Sequence, residues 1–374
     1  MRILHVASTF ARRFGGPSEV LRGLIPAQRE LGVHVELATT DRGIDQTDQI
    51  FSVDTGVHVF PSMRPQSWTF SPAMALEIAR LVKTFDVVHI HSLQTFPSTI
   101  AMIAARTARV PYVVQPHGAL DRYHWAQGRF KKSAYLNLVD RYGVRGLSGA
   151  LFSSEQEATQ GREILRDTPV FALPLGVDPD LQVIEGTRES VDVFEILFLG
   201  RVTAKKRLDI VIAALAESGL CDQDTRLVVA GPIDNDLPYD PRILASTLGV
   251  LDRVTFLGQV DAETRKALLR RASVFVLPSE DESFGVAVAE AMSTGCAVVT
   301  TAQVGIAPEA ARNGALKIAS PNAFSFSQAI FRLKTDDAAR IKMGHTAREF
   351  AIKRYSWPIA AKAAITCYEQ IMGS

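Results

Sequence analysis

Cysteine is scarce in this chain, and long apolar runs are missing. Its three cysteines, Cys221, Cys296 and Cys367, stand far apart among 374 residues and form no CxxC pair. That scatter argues against a disulfide framework or a thiolate zinc site and fits a reducing compartment. No apolar stretch approaches the roughly 20 residues that cross a bilayer. The opening Met1-Arg-Ile-Leu-His-Val-Ala-Ser8 contains His5 and is soon followed by Arg12-Arg13, so it reads as a first strand and not as a signal peptide. Charge of one sign is also lacking. The net charge is +1, which provides no basic field and argues against nucleic-acid binding. There is no GxGxxG after the first strand, no GxxxxGK[ST] and no HExxH, so dinucleotide oxidoreductase, P-loop NTPase and zinc hydrolase lose their usual support. No acidic cluster resembles a dedicated divalent-metal site. The expectation is a cytoplasmic protein without metal or cofactor.

What is present is a strand–helix alternation that runs twice. A chain of 374 residues exceeds what one hydrophobic core organises, so two domains are expected. In the first half, Ile3 to Ala7 reads as a strand and Thr9 to Pro17 as a loop. Ser18 reads as the cap of a helix whose apolar face is Leu21, Leu24, Ile25 and Leu31. Val33, Val35 and Leu37 give the next strand, which completes a βαβ unit and predicts a parallel sheet. Val57–Phe60, Asp86–His91, Tyr112–Gly118, Ala150–Ser154 and Val170–Gly176 continue the strands, with a helix from Ser71 to Thr84 and others through Ile100 and from Glu155 to Leu165. Periodicity fails from Val177 to Asp192, which reads as a linker. It restarts with strands at Phe194–Gly200, Arg226–Gly231, Val254–Gly258, Ser273–Leu277 and Ala297–Thr301, and helices near Pro241–Leu248 and Asp261–Arg271. The expected division is 1–180, 193–355 and a C-terminal helix, 356–374, that packs back on the first domain through Ile359, Ala363, Ile365 and Ile371.

Several stretches carry chemistry. Gly15-Gly16 falls beyond the carboxyl end of the first strand, where open parallel sheets bind ligands, and paired glycines let a backbone approach a phosphate. They are also common in plain turns. His89 reads as a strand-face residue and His91 as a strand-end one. His117-Gly118 places a ring on a sharp turn where, neutral or charged, it could meet a substrate hydroxyl or carbonyl, and a satisfied structural histidine explains it equally well. Residues 129–145 gather Arg129, Lys131, Lys132, Arg141 and Arg145 around Tyr135, Leu136 and Leu138; this is a solvated face broken by Asp140, or a weak peripheral contact with an anionic membrane. Arg201 and Lys206 lie after the first strand of the second half and could neutralise a diphosphate, or simply be solvated.

The most informative stretch is Ser279-Glu-Asp-Glu-Ser-Phe-Gly-Val-Ala-Val-Ala-Glu-Ala-Met-Ser-Thr-Gly295. A buried strand leads into an acidic turn, and a helix starts just after Gly285 and stops at Gly295. Glu282 sits in the turn and Glu290 about two helical turns on. Unpaired amides at a helix start attract phosphate, and carboxylates suit the hydroxyls of a ribose or a sugar. Together they suggest a nucleotide-sugar, although two surface acids would share the same spacing.

In order, Gly15-Gly16, His117-Gly118, Ser153-Ser-Glu155, Gly200-Arg201 with Lys206, Gly231 and Glu282-Ser-Phe-Gly-Val-Ala-Val-Ala-Glu290 resemble the retaining glycosyltransferases of family 4 (group 1), over essentially the full length. The resemblance implies an α/β GT-B fold, two Rossmann-like parallel-sheet domains facing an inter-domain cleft. It implies transfer of a sugar from a UDP- or GDP-sugar to a saccharide or lipid-linked acceptor, with retention and without metal, of the kind found in bacterial exopolysaccharide and O-antigen assembly. Arg201 and Lys206 would neutralise the leaving diphosphate, Glu282 hold a sugar hydroxyl, and Glu290 accept from the ribose. Amides around Phe284, Gly285 and Val286 would contact sugar and phosphate. Gly15 and Gly16 would close over the diphosphate, His117 would bond the donor sugar, and Gly231 would lie near the base. The family is thought to use same-face attack, which capture of a covalent glycosyl-enzyme on Glu282 or Asp121 would refute. Leu175 stands where the family often has asparagine, and Arg207 where glycine is common. A sugar-nucleotide epimerase of the same fold and a non-catalytic partner subunit are the competing readings. An epimer formed from donor alone would support the first, and failure to bind or hydrolyse any nucleotide-sugar the second.

Overall fold

A computed structural model of the chain describes residues 1–46, 48, 56–65, 68–120, 135, 139–181 and 193–373. They form two compact units, Met1–Gly176 together with Trp357–Ser374, and Val177–Ser356.

Among the described residues, the first unit is built on a seven-stranded sheet: β1 (Arg2–Val6), β2 (His34–Thr40), β3 (Val57–Phe60), β4 (Val87–His91), β5 (Tyr112–Gln115), β6 (Gly149–Phe152) and β7 (Val170–Ala172). The order is β3-β2-β1-β4-β5-β6-β7, and every pairing is parallel. Helices pack on a parallel sheet from both faces, so its central strands are apolar without alternation. β4 is buried along its whole length, and Val88 and Ile90 join Leu4, Val6, Val114, Phe152 and Met102 in one core.

The helix read from Ser71 to Thr84 runs Pro72–Leu81 with a 3₁₀ turn at Val82–Thr84, and Ser71 caps it, its side chain accepting from the Met74 amide. Ser18 is a correction. The first helix runs Gly16–Glu30 and is entered through Gly15, at φ 77°. Pro17 occupies its first turn, where a missing N–H costs nothing, and Ser18 is drawn inside with its hydroxyl buried and without a hydrogen-bond partner.

The C-terminal helix, Trp357–Met372, packs on Gly16–Glu30 within this unit. Its buried stripe keeps Ile371 but otherwise differs from the face read through Ile359, Ala363 and Ile365. Ala360, Ala361, Ala364, Cys367, Tyr368 and Ile371 are buried, while Ile359 is 37% exposed. Small residues win because the two helices approach closely. A Cβ built on Gly23 would fall 1.9 Å from the Trp357 ring.

The second unit carries, among its described residues, β8 (Phe194–Leu199), β9 (Thr225–Ala230), β10 (Val254–Gly258), β11 (Val274–Leu277), β12 (Ala297–Thr300) and β13 (Lys317–Ile318), in the order β10-β9-β8-β11-β12-β13, again all parallel. Both units therefore change winding direction between their first and fourth strands, β1 and β4 in one, β8 and β11 in the other. The loops leaving two such strands diverge and open a crevice, the usual ligand position in an open α/β sheet.

Of the basic stretch 129–145, residues 129–134 and 136–138 lie outside the described residues, as do 182–192 of the linker. Asp140 does not interrupt a solvated face. It is buried and accepts a 2.6 Å hydrogen bond from the Thr99 hydroxyl, and burial raises its carboxyl pKa. No helix of the described residues is long and apolar enough to cross a membrane.

Candidate functional site

In the second unit, the loops after β8 and β11 bring several of the singled-out residues together. β8 ends at Gly200, with φ at 133°, and Gly231 after β9 has φ at 138°. These conformations exclude an ordinary side chain. The space does too: a Cβ on Gly231 would fall 2.1 Å from the Gly200 carbonyl oxygen. Val202 then pairs with Ile233, its amide donating to the Pro232 carbonyl at 2.9 Å, so the Arg201 turn is pinned to the loop after β9. Arg201 itself is exposed, and among the described residues no carboxylate pairs with it.

Lys206 closes the short 3₁₀ turn Ala204–Lys206 and points back over this turn, its Nζ 3.0 Å from where a Gly200 Cβ would be. It meets Glu282, from the loop after β11, at 3.2 Å, and both side chains are largely buried. The acidic turn is held on both sides. Lys205 O accepts from the Glu280 amide (2.8 Å) and the Ser279 hydroxyl (3.2 Å), while Glu282 pairs with Val304, and its carbonyl accepts from the Gly305 amide at 2.8 Å. The residues that were expected to serve one diphosphate and one sugar hydroxyl thus form a fixed ion pair across the point where the sheet changes direction.

Arg207 explains its own departure from glycine. Its φ is 51°, a left-handed conformation that favours glycine, and its guanidinium bridges Asp209, at 2.8 Å, and Glu280. Those carboxylates, Asp209 foremost, raise its pKa. Left-handed backbone costs about 1 kcal/mol, and exposed ion pairs return about 0.2–1 kcal/mol each. Arg207→Gly is therefore expected to leave stability within about 1 kcal/mol of the parent, as read by denaturant unfolding. A loss above about 2 kcal/mol would mean that the bridge organises the whole loop.

Beyond the acidic turn, the helix Val286–Ser293 begins at Gly285 with φ at 96° and no side-chain cap, and a Cβ there would strike Val304 Cγ1 at 2.4 Å. Its first amides have no intrahelical partner and are left to a ligand or solvent. Phe284 is buried edge-on against Tyr355, so it offers only its backbone, while Val286 is partly exposed at the helix start. Glu290 is not a surface acid. It is 5% exposed and pairs with Arg265 of the helix Ala262–Arg271 at 2.9 Å. Arg265 was not legible beforehand, because its 25-residue separation from Glu290 in sequence carries no periodic signal.

In the first unit, Gly15-Gly16 open the helix Gly16–Glu30, and a Cβ on either would meet only open space. His117 has φ at 53°, a strained value for a non-glycine residue. The next amide, Gly118, donates to Glu157 Oε1 at 3.2 Å, and Glu157 Oε2 accepts from the Ser153 amide (2.8 Å) and hydroxyl (2.6 Å). Glu157 is thus a buried carboxylate that fixes the His117 turn. Ser154-x-x-Glu157 is a capping-box spacing and could have been noticed.

Behind His117 lies a network that periodicity did not reveal. His91 Nδ1 lies 2.9 Å from His117 Nε2, His91 Nε2 2.8 Å from His5 Nδ1, and His5 Nε2 2.8 Å from Gln28 Oε1. Gln28 Nε2 donates to the Tyr368 hydroxyl, which lies 2.7 Å from His89 Nδ1. His5, His89 and His91 each offer a nitrogen within 4.8 Å of the others. Yet His89 and His91 stack with centroids 4.2 Å apart, and both His5 nitrogens are already bonded, so these rings form a hydrogen-bond chain and do not converge on one ion.

Desolvation keeps all four imidazoles neutral. It lowers His5 to about 4 and His117 to about 3, and pulls His89 and His91 well below their usual range. Each is ordinary, near 6.5, in the unfolded chain. The stability they contribute is therefore complete above pH 6.5 and is lost as the pH falls toward 4 and 3, because only the unfolded state takes up protons there. The thermal midpoint of the protein is expected to drop between pH 7 and 5, at up to about 1.4 kcal/mol per pH unit for each neutral histidine. A midpoint flat over that interval would show that the rings are not held neutral.

Comparison with known proteins agrees with this architecture. A model of the family described as "Glycosyl transferases group 1" matches residues 184–350, and one described as "Glycosyl transferase 4-like domain" matches residues 15–176. The chain belongs to the group 1, family 4 glycosyltransferases, and its two parallel-sheet units are those of the GT-B fold. It is similar to the GDP-mannose:cellobiosyl-diphosphopolyprenol alpha-mannosyltransferase of Xanthomonas oryzae pv. oryzae, 26% identical over 299 residues, 79% of this chain and 77% of that protein. A D-inositol 3-phosphate glycosyltransferase of Streptomyces bingchenggensis is 28% identical over 321 residues, 77% of this chain and 67% of its own. Among solved structures, HepE of Anabaena, in complex with UDP and glucose, superimposes with a TM-score of 0.78 at 18% identity, over 99% of this chain and all of its own.

Proposed function

We propose that this glycosyltransferase moves a sugar from a nucleoside-diphosphate donor, UDP- or GDP-linked, to a saccharide or lipid-linked saccharide in surface-polysaccharide assembly, with retention and without a metal ion. The observation that carries the reading is the Lys206–Glu282 pair, 3.2 Å apart beside an uncapped helix start. A cation, free amides and a carboxylate on one crevice match a diphosphate attached to a polyol. Lys206 and Arg201 supply positive charge to the departing diphosphate, which is the work a divalent ion would otherwise do. Glu282 accepts from a sugar hydroxyl, and Glu290, oriented by Arg265, accepts from the ribose. The acceptor oxygen attacks the anomeric carbon on the face from which the diphosphate leaves. The C–O bond to phosphate breaks as the new one forms, and a phosphate oxygen takes the acceptor proton. Asp121, the other carboxylate considered as a nucleophile, lies outside the described residues.

The named mannosyltransferase relative supports GDP and a polyprenol-linked acceptor, and the UDP-bound HepE structure supports UDP. Screening UDP- and GDP-sugars for thermal stabilisation and nucleotide release, with chelator present, tests the proposal. One donor should raise the melting temperature and release nucleoside diphosphate. Stabilisation by none, or activity abolished by chelator, would overturn the donor reading or the metal-free one respectively.

A further inference from the structure

The histidine chain of the first unit has a direction, and that direction reaches an atom that could touch substrate. Each ring is buried or nearly so and neutral, so each carries one proton on one of two nitrogens. A chain of neutral imidazoles can be ordered in only two ways, and its terminal group decides which. Here the terminus is the Gln28 amide, wedged between His5 and Tyr368. With Gln28 Oε1 facing His5, the His5 proton must sit on Nε2, leaving Nδ1 bare. His91 then donates from Nε2 to His5 and is bare at Nδ1. His117 donates from Nε2 to His91, so its own Nδ1 is bare. Among the described residues no protein group pairs with that last nitrogen, and the His117 ring is partly exposed.

Turning the Gln28 amide over would reverse every proton and make His117 Nδ1 a donor. The structure has the first arrangement, with the Gln28 Nε2 toward the Tyr368 hydroxyl. That hydroxyl accepts from Gln28 Nε2 and can then donate to His89 Nδ1, which leaves the His89 proton on Nε2.

We infer that Gln28 and Tyr368 are positioning residues that act through His5 and His91 to hold His117 in its Nε2–H tautomer, presenting a bare Nδ1 as a hydrogen-bond acceptor for a substrate hydroxyl. The tautomer rests on the hydrogen-bond geometry and the Gln28 amide orientation of neutral rings, and its use on substrate rests on the proposed reaction. The C-terminal helix thereby acquires a role beyond packing, since it supplies Tyr368. His117 is matched to a hydroxyl donor and mismatched to a carbonyl or an ether oxygen.

The test is ¹⁵N NMR of histidine-labelled full-length protein, with His117 assigned by its absence in His117→Gln. The parent should show His117 protonated at Nε2 and bare at Nδ1. Gln28→Met keeps the volume and removes the amide, and Tyr368→Phe removes only the hydroxyl and stands in if the first fails to fold. In either variant the His117 signals should mix the two tautomers, and kcat/KM should fall by about tenfold, the worth of one misdirected hydrogen bond. An Nδ1–H tautomer in the parent would overturn the inference, as would an unchanged Nε2–H tautomer in the folded variants. A shifted tautomer with unchanged kcat/KM would leave the relay standing and remove His117 from the reaction.

Discussion

Lys206→Ala is expected to lower kcat by about 10²–10³-fold, the usual loss when one preorganised charge is withdrawn from a developing anion, while the melting temperature stays close to that of the parent. The lysine is held where it is needed before any donor arrives. Its Nζ lies over the Gly200 turn and 3.2 Å from Glu282, on a short 3₁₀ turn tied to the acidic loop through the Lys205 carbonyl. Because the ammonium is fixed, little reorganisation is left for the reaction itself. The two side chains keep 16% and 17% of their surface in water, so Glu282 can be hydrated once its partner is gone and the larger loss should fall on turnover. Lys206→Arg should recover only part of the rate, since a planar fork does not occupy the place of a compact ammonium. Steady-state kinetics with thermal melting checks both. A rate within about threefold of the parent, or about 0.65 kcal/mol of barrier, would remove the lysine from leaving-group stabilisation.

Gly231→Ala is expected to cost about 3 kcal/mol or more of stability and to weaken nucleotide binding with it. The new Cβ would lie 2.1 Å from the Gly200 oxygen and 2.5 Å from its carbon, with the backbone at a φ of 138°. Relief requires the two strand ends to separate by about an ångström, because Cβ contacts under about 3 Å are not tolerated in a packed interior. The Gly231 amide cannot give way freely, as it donates to the Gly258 carbonyl at 2.7 Å. Any displacement moves Gly200 and Arg201, and with them the seat of Lys206. Denaturant unfolding and nucleotide titration read the two effects. Stability within 1 kcal/mol of the parent would show that the turn is pliable.

The fold was legible because parallel strands flanked by helices leave long apolar runs separated by glycine turns. Val274–Leu277 followed by Gly285 and Gly295 gave the strand, the helix start and the helix stop where the structure has them. Long-range pairing was not legible. Glu290 could be noticed in sequence, but its burial against Arg265 depends on how two helices pack, and no local pattern encodes that. The same holds for His5, Gln28, His91 and Tyr368, which come from two strands and two helices spread across the chain and meet only after the sheet has assembled. Ser18 misled because its identity fits a cap, whereas Gly15 and Pro17 had already set the backbone to begin one turn earlier. Arg207 looked like a flaw in a glycine position and proved to be a left-handed residue anchored by two carboxylates.

Proton NMR of the glycosidic linkage formed from an α-linked nucleotide-sugar, recorded with chelator present, tests retaining, metal-free transfer most directly. Departure of the diphosphate on the face of attack, stabilised by Lys206 and Arg201, predicts an α-linked product formed at an undiminished rate. A β-linked product, or no product until a divalent metal is restored, would contradict it.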